Sequence, residues 1–196
     1  MPKIVDHDKQ RVLVAEAAWR VIRRNGMEQA SVRNIAEEAG ISVGSMRHYF
    51  STQSELLLFA MNLVSERVTA RIQNMSFDGP PMEHMKQLLL EFMPNTDEKM
   101  AEMEVWYAFT AKSKTDPLFK ELADRVYNDI RRAVEMVIIS MVQLNIFQSD
   151  LNQEVEIERL YALVDGLSIH AVLRPDQMSG DLMEEILMLH LTSLCV

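Results

Sequence analysis

Two short runs of apolar residues at helical spacing, separated by a single turn, constrain the fold of this chain more than any other feature. Ser31 has the side chain of a good N-cap, and apolar residues recur every three or four positions behind it until Gly40. Ser42 is the next suitable N-cap, and a second apolar stripe follows it within residues 43–50. Two short helices joined through Gly40-Ile41-Ser42 are typical of a helix-turn-helix.

Helical periodicity continues through the rest of the chain. No alternating pattern of useful length, which would predict a β-strand, interrupts it. Thr96, Asp116 and Ser179 are suitable N-caps, and Pro117 stands at a first helical position. The other predicted helices span about residues 8–24, 54–75, 82–93, 97–111, 117–144, 154–173 and 180–194. The sequence therefore predicts an all-α protein.

The run Asp78-Gly79-Pro80-Pro81 breaks this helical pattern more strongly than any other segment after the first fifty residues. It predicts the boundary between two helical domains. We expect residues 1–52 to form a three-helix head, residues 53–78 a connecting helix, and residues 79–196 a helical body.

The net charge of the chain is unevenly distributed. Residues 1–50 contain eight Lys and Arg against six Asp and Glu, a net charge of +2, whereas the whole chain carries −9. The remaining 146 residues therefore carry −11. A mildly basic head on an acidic body fits a protein whose N-terminal end binds phosphates and whose remaining surface repels them.

The sequence lacks the residue patterns that enzymes and metal sites use. It has no His-Glu-x-x-His, no Glu-x-x-His and no Gly-rich phosphate loop, and its single cysteine, Cys195, excludes an intrachain disulfide or a thiolate zinc site. The five histidines are scattered: His7, His48, His84, His170 and His190. We therefore expect a protein that is not an enzyme and that holds neither a metal nor a cofactor.

Membrane insertion is also not expected. The first twenty residues carry several charges, as a signal peptide would not, and the most apolar stretch, Val134 to Val142, is short and contains Glu135. The sequence predicts a cytoplasmic protein with no membrane partner.

The segment from Ala30 to Phe50, ASVRNIAEEAGISVGSMRHYF, resembles the DNA-binding signature of the tetracycline-repressor (TetR) family. The ordered combination of a capped helix, Ile-Ala, a Gly turn and a terminal Tyr-Phe carries the resemblance. The body is more loosely similar to the choline-responsive repressor branch of that family. This second likeness is carried by Trp106, Phe109, Ala111, Asp116-Pro117 and Asp165-Gly166-Leu167. The resemblance implies a DNA-binding transcriptional regulator.

The second short helix would then be the one that reads double-stranded DNA. On helical spacing, Ser45, Arg47 and His48 face away from the apolar Met46 and Phe50. The resemblance implies that Arg33, Val43, Gly44, Arg47 and His48 lie at or near bases. It also implies that Ser31, Ser45 and Tyr49 touch phosphates. The alternative for each arginine is a solvated helix face, and for Tyr49 it is half-buried packing.

Two positions depart from the family pattern. Arg47 replaces an aromatic residue, and its guanidinium has the geometry to bind O6 and N7 of a guanine. Gln53 replaces a lysine that holds a phosphate, so we expect affinity to depend more on the leading segment. The cations of that segment are Lys3, Lys9 and Arg11.

The last two predicted helices carry apolar faces suited to a homodimer. We predict that both helices of each subunit form a four-helix interface, as the resemblance also implies, so that two heads match a palindromic operator. The predicted interface residues are Leu160, Leu163, Val164, Leu167, Leu182, Ile186 and Leu189. Internal packing is the alternative for these residues.

The body is rich in methionine and aromatic residues. Twelve of the 15 methionines follow residue 50, and such residues line adaptable apolar pockets or form an ordinary core. We predict a pocket for a small, mostly apolar effector, with Asp165 as its polar anchor. The predicted lining is Met103, Trp106, Phe109, Tyr127, Met136, Asp165 and His170.

Together these predictions describe a dimeric repressor that an effector releases from a palindromic operator. Release requires that the effector bind one dimer state more tightly than the other. The alternative is a DNA-binding regulator without a small-molecule ligand, whose body serves dimerisation only.

Overall fold

The computed structural model describes residues 7–76 and 78–196, and in these residues the chain folds into helices. The described residues form nine α-helices: α1 His7–Asn25, α2 Val32–Glu38, α3 Val43–Met46, α4 Gln53–Gln73, α5 Pro81–Leu90, α6 Asp97–Ser113, α7 Pro117–Gln143, α8 Gln153–Leu173 and α9 Gly180–Ser193. A short 3-10 helix, Met27–Gln29, follows α1. The described part contains no strand beyond an isolated bridge between Phe147 and Cys195. The all-α prediction is confirmed.

Side-chain caps set several helix starts where the sequence predicts them. The Oγ atoms of Thr96 and Ser179 accept hydrogen bonds from the backbone N–H three residues later, at 3.3 and 3.2 Å. Asp116 Oδ1 accepts from the N–H of Leu118 at 3.1 Å, and Pro117 is the first residue of α7.

Two helices are shorter than the sequence predicts. α3 ends at Met46, because the next residues form turns in which the N–H of His48 binds the carbonyl of Ser45. α5 ends at Leu90 rather than at Met93, because the chain closes with i to i+3 hydrogen bonds before Pro94. In both places a tight turn replaces the last turn of a helix.

The chain divides into two compact units. The first unit comprises Met1–Arg67 with Glu104–Ala123, and the second comprises Val68–Met103 with Asp124–Val196. The division falls inside α4, α6 and α7, and not at the helix-breaking run near residue 80. The second half of α6 therefore belongs to the same unit as the helix-turn-helix.

The core of the first unit is built from α1, α2 and α4. Trp19 is 6% exposed and its Nε1 donates a hydrogen bond to the carbonyl oxygen of Ala60 at 2.8 Å. The guanidinium of Arg67 lies over the Trp19 ring and pairs with Glu16. Arg23, near the end of α1, pairs with Glu104 of α6.

The second unit has its own apolar core. Side chains from α5, α7, α8 and α9 meet in it, including Leu89, Ile138, Leu160 and Leu187, all fully buried. Within residues 7–76 and 78–196, every helix is too short or too polar to span a bilayer.

A charged cluster joins α4, α5 and α6 within the second unit. Arg71 binds Glu102 through two hydrogen bonds of 3.1 and 2.8 Å, and binds Glu91 at 2.6 Å. Lys99 donates to the other oxygen of Glu91 and to the carbonyl of Leu90. Glu102 is 3% exposed, so its charge is tolerated only because Arg71 neutralises it.

Candidate nucleic-acid interface

The starts of α2 and α3 and the turn between them are held by local hydrogen bonds. Ser31 Oγ accepts from the N–H of Asn34, and Ser42 Oγ accepts from the N–H of Ser45. Gly40 closes α2 with φ +67°, a conformation that favours glycine. The direction of the segment after the turn is therefore fixed by local chemistry.

One face of this helix-turn-helix is buried and the other is exposed. Ile35, Met46 and Phe50 are at most 4% exposed and pack into the core of the first unit. Arg47 and His48 are exposed, as predicted for side chains that face away from the buried ones. We name residues 43–50 the recognition segment.

The remaining predicted DNA contacts lie around this segment. Arg33, Val43 and Gly44 are exposed, whereas Ser31, Ser45 and Tyr49 are half-buried. Ser31 is the N-cap of α2 and Ser45 Oγ lies 3.0 Å from Ser42 Oγ, so both hydroxyls also serve local structure.

Ion pairs distinguish the arginines of the head from one another. Arg20 and Arg24 both bind Glu38, and these hydrogen bonds lower the pKa of that carboxyl. Arg33 and Arg47 form no ion pair with any described residue. Their charges are therefore available to an external anion.

A histidine that the sequence analysis did not assign to the interface lies against the recognition segment. His7 Nε2 donates a hydrogen bond to the carbonyl oxygen of His48 at 3.2 Å. The His7 ring also contacts the Tyr49 ring, with 5.1 Å between centroids. No local pattern relates residue 7 to residues 48 and 49, so only the tertiary structure brings them together.

Arg11 is not available to a phosphate, contrary to the expectation from sequence. Its guanidinium lies between the Phe50 and Phe59 rings, at 4.7 and 4.5 Å from their centroids, and pairs with Glu55. Of the other two cations of the leading segment, Lys9 is exposed and Lys3 lies outside the described residues.

The apolar faces of α8 and α9 are divided between the core and the surface. Among the predicted interface residues, Leu160, Val164 and Leu167 are at most 6% exposed. A partner subunit cannot contact these three, because this protomer's own core already encloses them. Leu163 and Ile186 are half-buried, and Leu182 and Leu189 are exposed.

Other apolar residues of the two helices remain exposed. We name this set the α8–α9 surface: Val155, Ile169, Leu173, Leu182 and Leu189. The first three were not predicted to lie at an interface, because α8 is apolar on more than one side.

The predicted effector-pocket residues have different environments. Phe109 is fully buried and meets Phe119 edge to face at 4.6 Å, while Met103 and Trp106 are half-buried. The four others are exposed: Tyr127, Met136, Asp165 and His170.

One of these residues, Tyr127, contacts a tyrosine that the predicted lining did not include. The Tyr127 and Tyr161 rings lie 5.0 Å apart. Burial and the charge of Asp165 raise the pKa of Tyr161. Tyr161 precedes Asp165 by one helical turn, so the i, i+4 spacing was a signal that could have found it.

Comparisons with known proteins match both parts of the chain. Residues 14–59 match the family profile described as bacterial regulatory proteins, tetR family. Residues 81–196 match the profile of the BetI-type transcriptional repressor, C-terminal.

Relatives of known sequence match nearly the whole length. The chain is 46% identical over 197 residues to the HTH-type transcriptional regulator PksA of Bacillus subtilis strain 168, covering 100% of this chain and 95% of that protein. It is 28% identical over 184 residues to the HTH-type transcriptional regulator BetI of Vibrio atlanticus strain LGP32, covering 92% and 89%.

Solved structures share the fold. A transcriptional regulator from Rhodococcus sp. Rha1 has a TM-score of 0.81 at 27% identity, covering 94% of this chain and 95% of that one. A transcriptional regulator from Saccharomonospora viridis in complex with choline has a TM-score of 0.79 at 25% identity, covering 92% and 94%. These relatives are transcriptional regulators and not enzymes. The chain belongs to the TetR family of DNA-binding transcriptional regulators.

Proposed function

We propose that the protein is a homodimeric repressor whose two recognition segments bind a palindromic operator. The observation that carries this proposal is that Arg33 and Arg47 are exposed and form no ion pair with a described residue, on a head whose other face is buried. A helix entering the major groove needs such donors at base edges, with phosphate contacts beside them.

Selection of genomic fragments by the purified protein tests this proposal. We expect recovery of a palindromic site whose half-sites lie one helical turn apart, about 34 Å. Binding that is abolished by moderate salt and shows no sequence preference would contradict it.

We infer that the α8–α9 surface forms the subunit interface. Leu189 is 73% exposed and Leu173 is 60% exposed, which is costly for two large apolar side chains on neighbouring helices of one protomer. Two such surfaces related by a two-fold axis form a self-complementary contact. This interface replaces the predicted contacts of Leu160, Val164 and Leu167 by the outward residues of the same helices.

We further propose that the body binds a small effector that carries a positive charge next to apolar groups. The faces of Tyr127 and Tyr161, with the carboxylate of Asp165 nearby, attract a cation. The related regulator from S. viridis holds choline, whose quaternary ammonium has this chemistry. The proposal narrows the mostly apolar effector expected from sequence to a cationic one.

Thermal unfolding with choline and with its uncharged analogue 3,3-dimethylbutanol tests the effector proposal. A ligand that binds only the folded protein raises Tm with its concentration, and we expect this for choline alone. The Tyr161→Ala variant should lose the response. No rise with either compound would favour the alternative in which the body serves dimerisation only.

A further inference from the structure

We propose that His7 is a phosphate-binding residue that contacts the DNA backbone only when its ring is doubly protonated. The inference rests on the proposed operator binding and assigns one specific contact within it. Its basis is the position of His7 against the recognition segment, where Nε2 binds the carbonyl of His48 and the ring contacts Tyr49.

The hydrogen bond to His48 fixes the tautomer of His7. A carbonyl oxygen only accepts, so Nε2 of His7 carries the proton in that contact. In a neutral imidazole the other nitrogen, Nδ1, is then an acceptor and repels a phosphate oxygen. Protonation of Nδ1 turns it into a charged donor without breaking the bond to His48.

The location of His7 suits a backbone phosphate. A segment that enters the major groove has phosphates along both of its edges. His7 is exposed, and it touches the end of the recognition segment where His48 is also exposed. Its ring is therefore at the flank of the reading surface, where a backbone contact is made.

The described residues place few titratable groups against His7. The titratable groups that face His7 from the recognition segment are His48 and Tyr49. On α1 the neighbouring charges are Asp8 and, one turn on, Arg11, which is neutralised by Glu55 of α4. Histidine side chains as a class change charge between about pH 5 and pH 8, which sets the pH range of the test.

The test is the salt dependence of DNA affinity at about pH 6 and about pH 8, measured by fluorescence anisotropy on a duplex recovered from genomic selection. Each phosphate neutralised adds about 0.9 to the slope of log affinity against log salt. With one His7 in each of two heads, the slope of the wild type should be steeper at the lower pH by about 1.8.

Two variants show which histidine causes the pH dependence of the salt slope. His7→Gln retains a donor for the His48 carbonyl but cannot take up a proton, so its slope should be the same at both pH values. His48→Gln retains His7 and should keep the pH dependence of the wild type. Circular dichroism of both variants checks that the helices are intact.

The outcomes separate this inference from the operator proposal. A wild-type slope that does not change with pH, with DNA binding intact, would overturn the His7 contact alone. A pH dependence that persists in His7→Gln and disappears in His48→Gln would overturn the assignment to His7. No binding at either pH would overturn the operator proposal and the His7 contact with it.

Discussion

The side-chain amide of Gln53 donates a hydrogen bond to the backbone carbonyl oxygen of Ala30, 2.8 Å away. Ala30 directly precedes Ser31, the N-cap of α2. The first residue of α4 therefore holds the start of the helix-turn-helix. Gln53 stands where the resemblance implies a phosphate-binding lysine, so a local structural contact occupies that position here.

Replacing Gln53 tests its structural role and whether this position can bind a phosphate. Gln53→Ala removes a partly buried hydrogen bond and should lower the free energy of unfolding by about 1 kcal/mol, measured in urea. Gln53→Lys should increase the salt slope of DNA binding by about 0.9 per head, because it adds a charge near a phosphate. A slope equal to that of the wild type would show that position 53 does not reach the backbone.

Arg11 should stabilise the head without contacting DNA. Arg11→Ala removes the guanidinium from between two phenylalanine rings, and we expect it to lower the free energy of unfolding by about 1 to 2 kcal/mol. Its salt slope for DNA should equal that of the wild type. Lys114→Ala, which changes an exposed lysine just after α6, is the control for a loss of charge alone. A flatter slope for Arg11→Ala with unchanged stability would instead assign Arg11 to a phosphate.

Arg47 should specify one base of each half-site. If its guanidinium binds a guanine edge, Arg47→Ala should lose about 1 to 3 kcal/mol of discrimination at one position of the operator and keep the preferences elsewhere. The measurement is a binding titration against duplexes substituted at each position. Arg33→Ala, on α2, changes the other arginine expected near bases and should relax a different position of each half-site. A uniform loss across all duplexes would assign Arg47 to the backbone.

The charged cluster of Arg71, Glu91, Lys99 and Glu102 should make the free energy of unfolding depend on pH. Burial acts to raise the pKa of Glu91, but the hydrogen bonds from Arg71 and Lys99 outweigh it and lower that pKa. A carboxyl whose pKa is lower in the folded than in the unfolded protein stabilises the fold at any pH above its unfolded pKa. This contribution is lost as the pH falls through the folded pKa. The loss therefore occurs below about pH 4.3.

Glu91→Gln should accordingly destabilise the protein at neutral pH and have little effect in acid. We expect a decrease of about 2 kcal/mol in the free energy of unfolding at neutral pH, from urea titrations. Glu98→Gln, an exposed residue of α6, should show no such difference. A Glu91→Gln effect that is equal at both pH values would contradict the ionic origin of the contribution.

The α8–α9 surface should control the oligomeric state. Leu189→Glu places a charge at the most exposed leucine of α9 and should produce monomers in sedimentation velocity, with operator affinity reduced accordingly. Leu144→Glu is the control, since Leu144 is 53% exposed but lies on neither helix. Retention of the dimer in Leu189→Glu would place the interface elsewhere.

Sequence alone predicts the elements whose signals are local. N-caps such as Ser31 and Ser179 form hydrogen bonds within three residues, so each helix start can be inferred from its own neighbourhood. The helix-turn-helix follows from two such caps and Gly40. The ends of α3 and α5 were predicted less well, because the same types of residue occur in a tight turn and in the last turn of a helix.

Which side chains face a partner or a ligand depends on tertiary packing. Leu160 and Leu189 are both leucines on amphipathic helices, yet the first is fully buried in its own protomer and the second is 73% exposed. Periodicity cannot tell these surfaces apart when a helix is apolar on two sides. For the same reason the contact between His7 and the recognition segment could not be predicted.

The ratio of affinities for the selected operator and for a shuffled duplex of the same composition measures whether the recognition segment reads DNA sequence. Both should be measured at one salt concentration, since the phosphate contribution is common to the two. A dimer that reads bases through its recognition segments should prefer the operator by about a thousandfold or more. Equal affinities for the two duplexes would contradict the claim that residues 43–50 read DNA sequence.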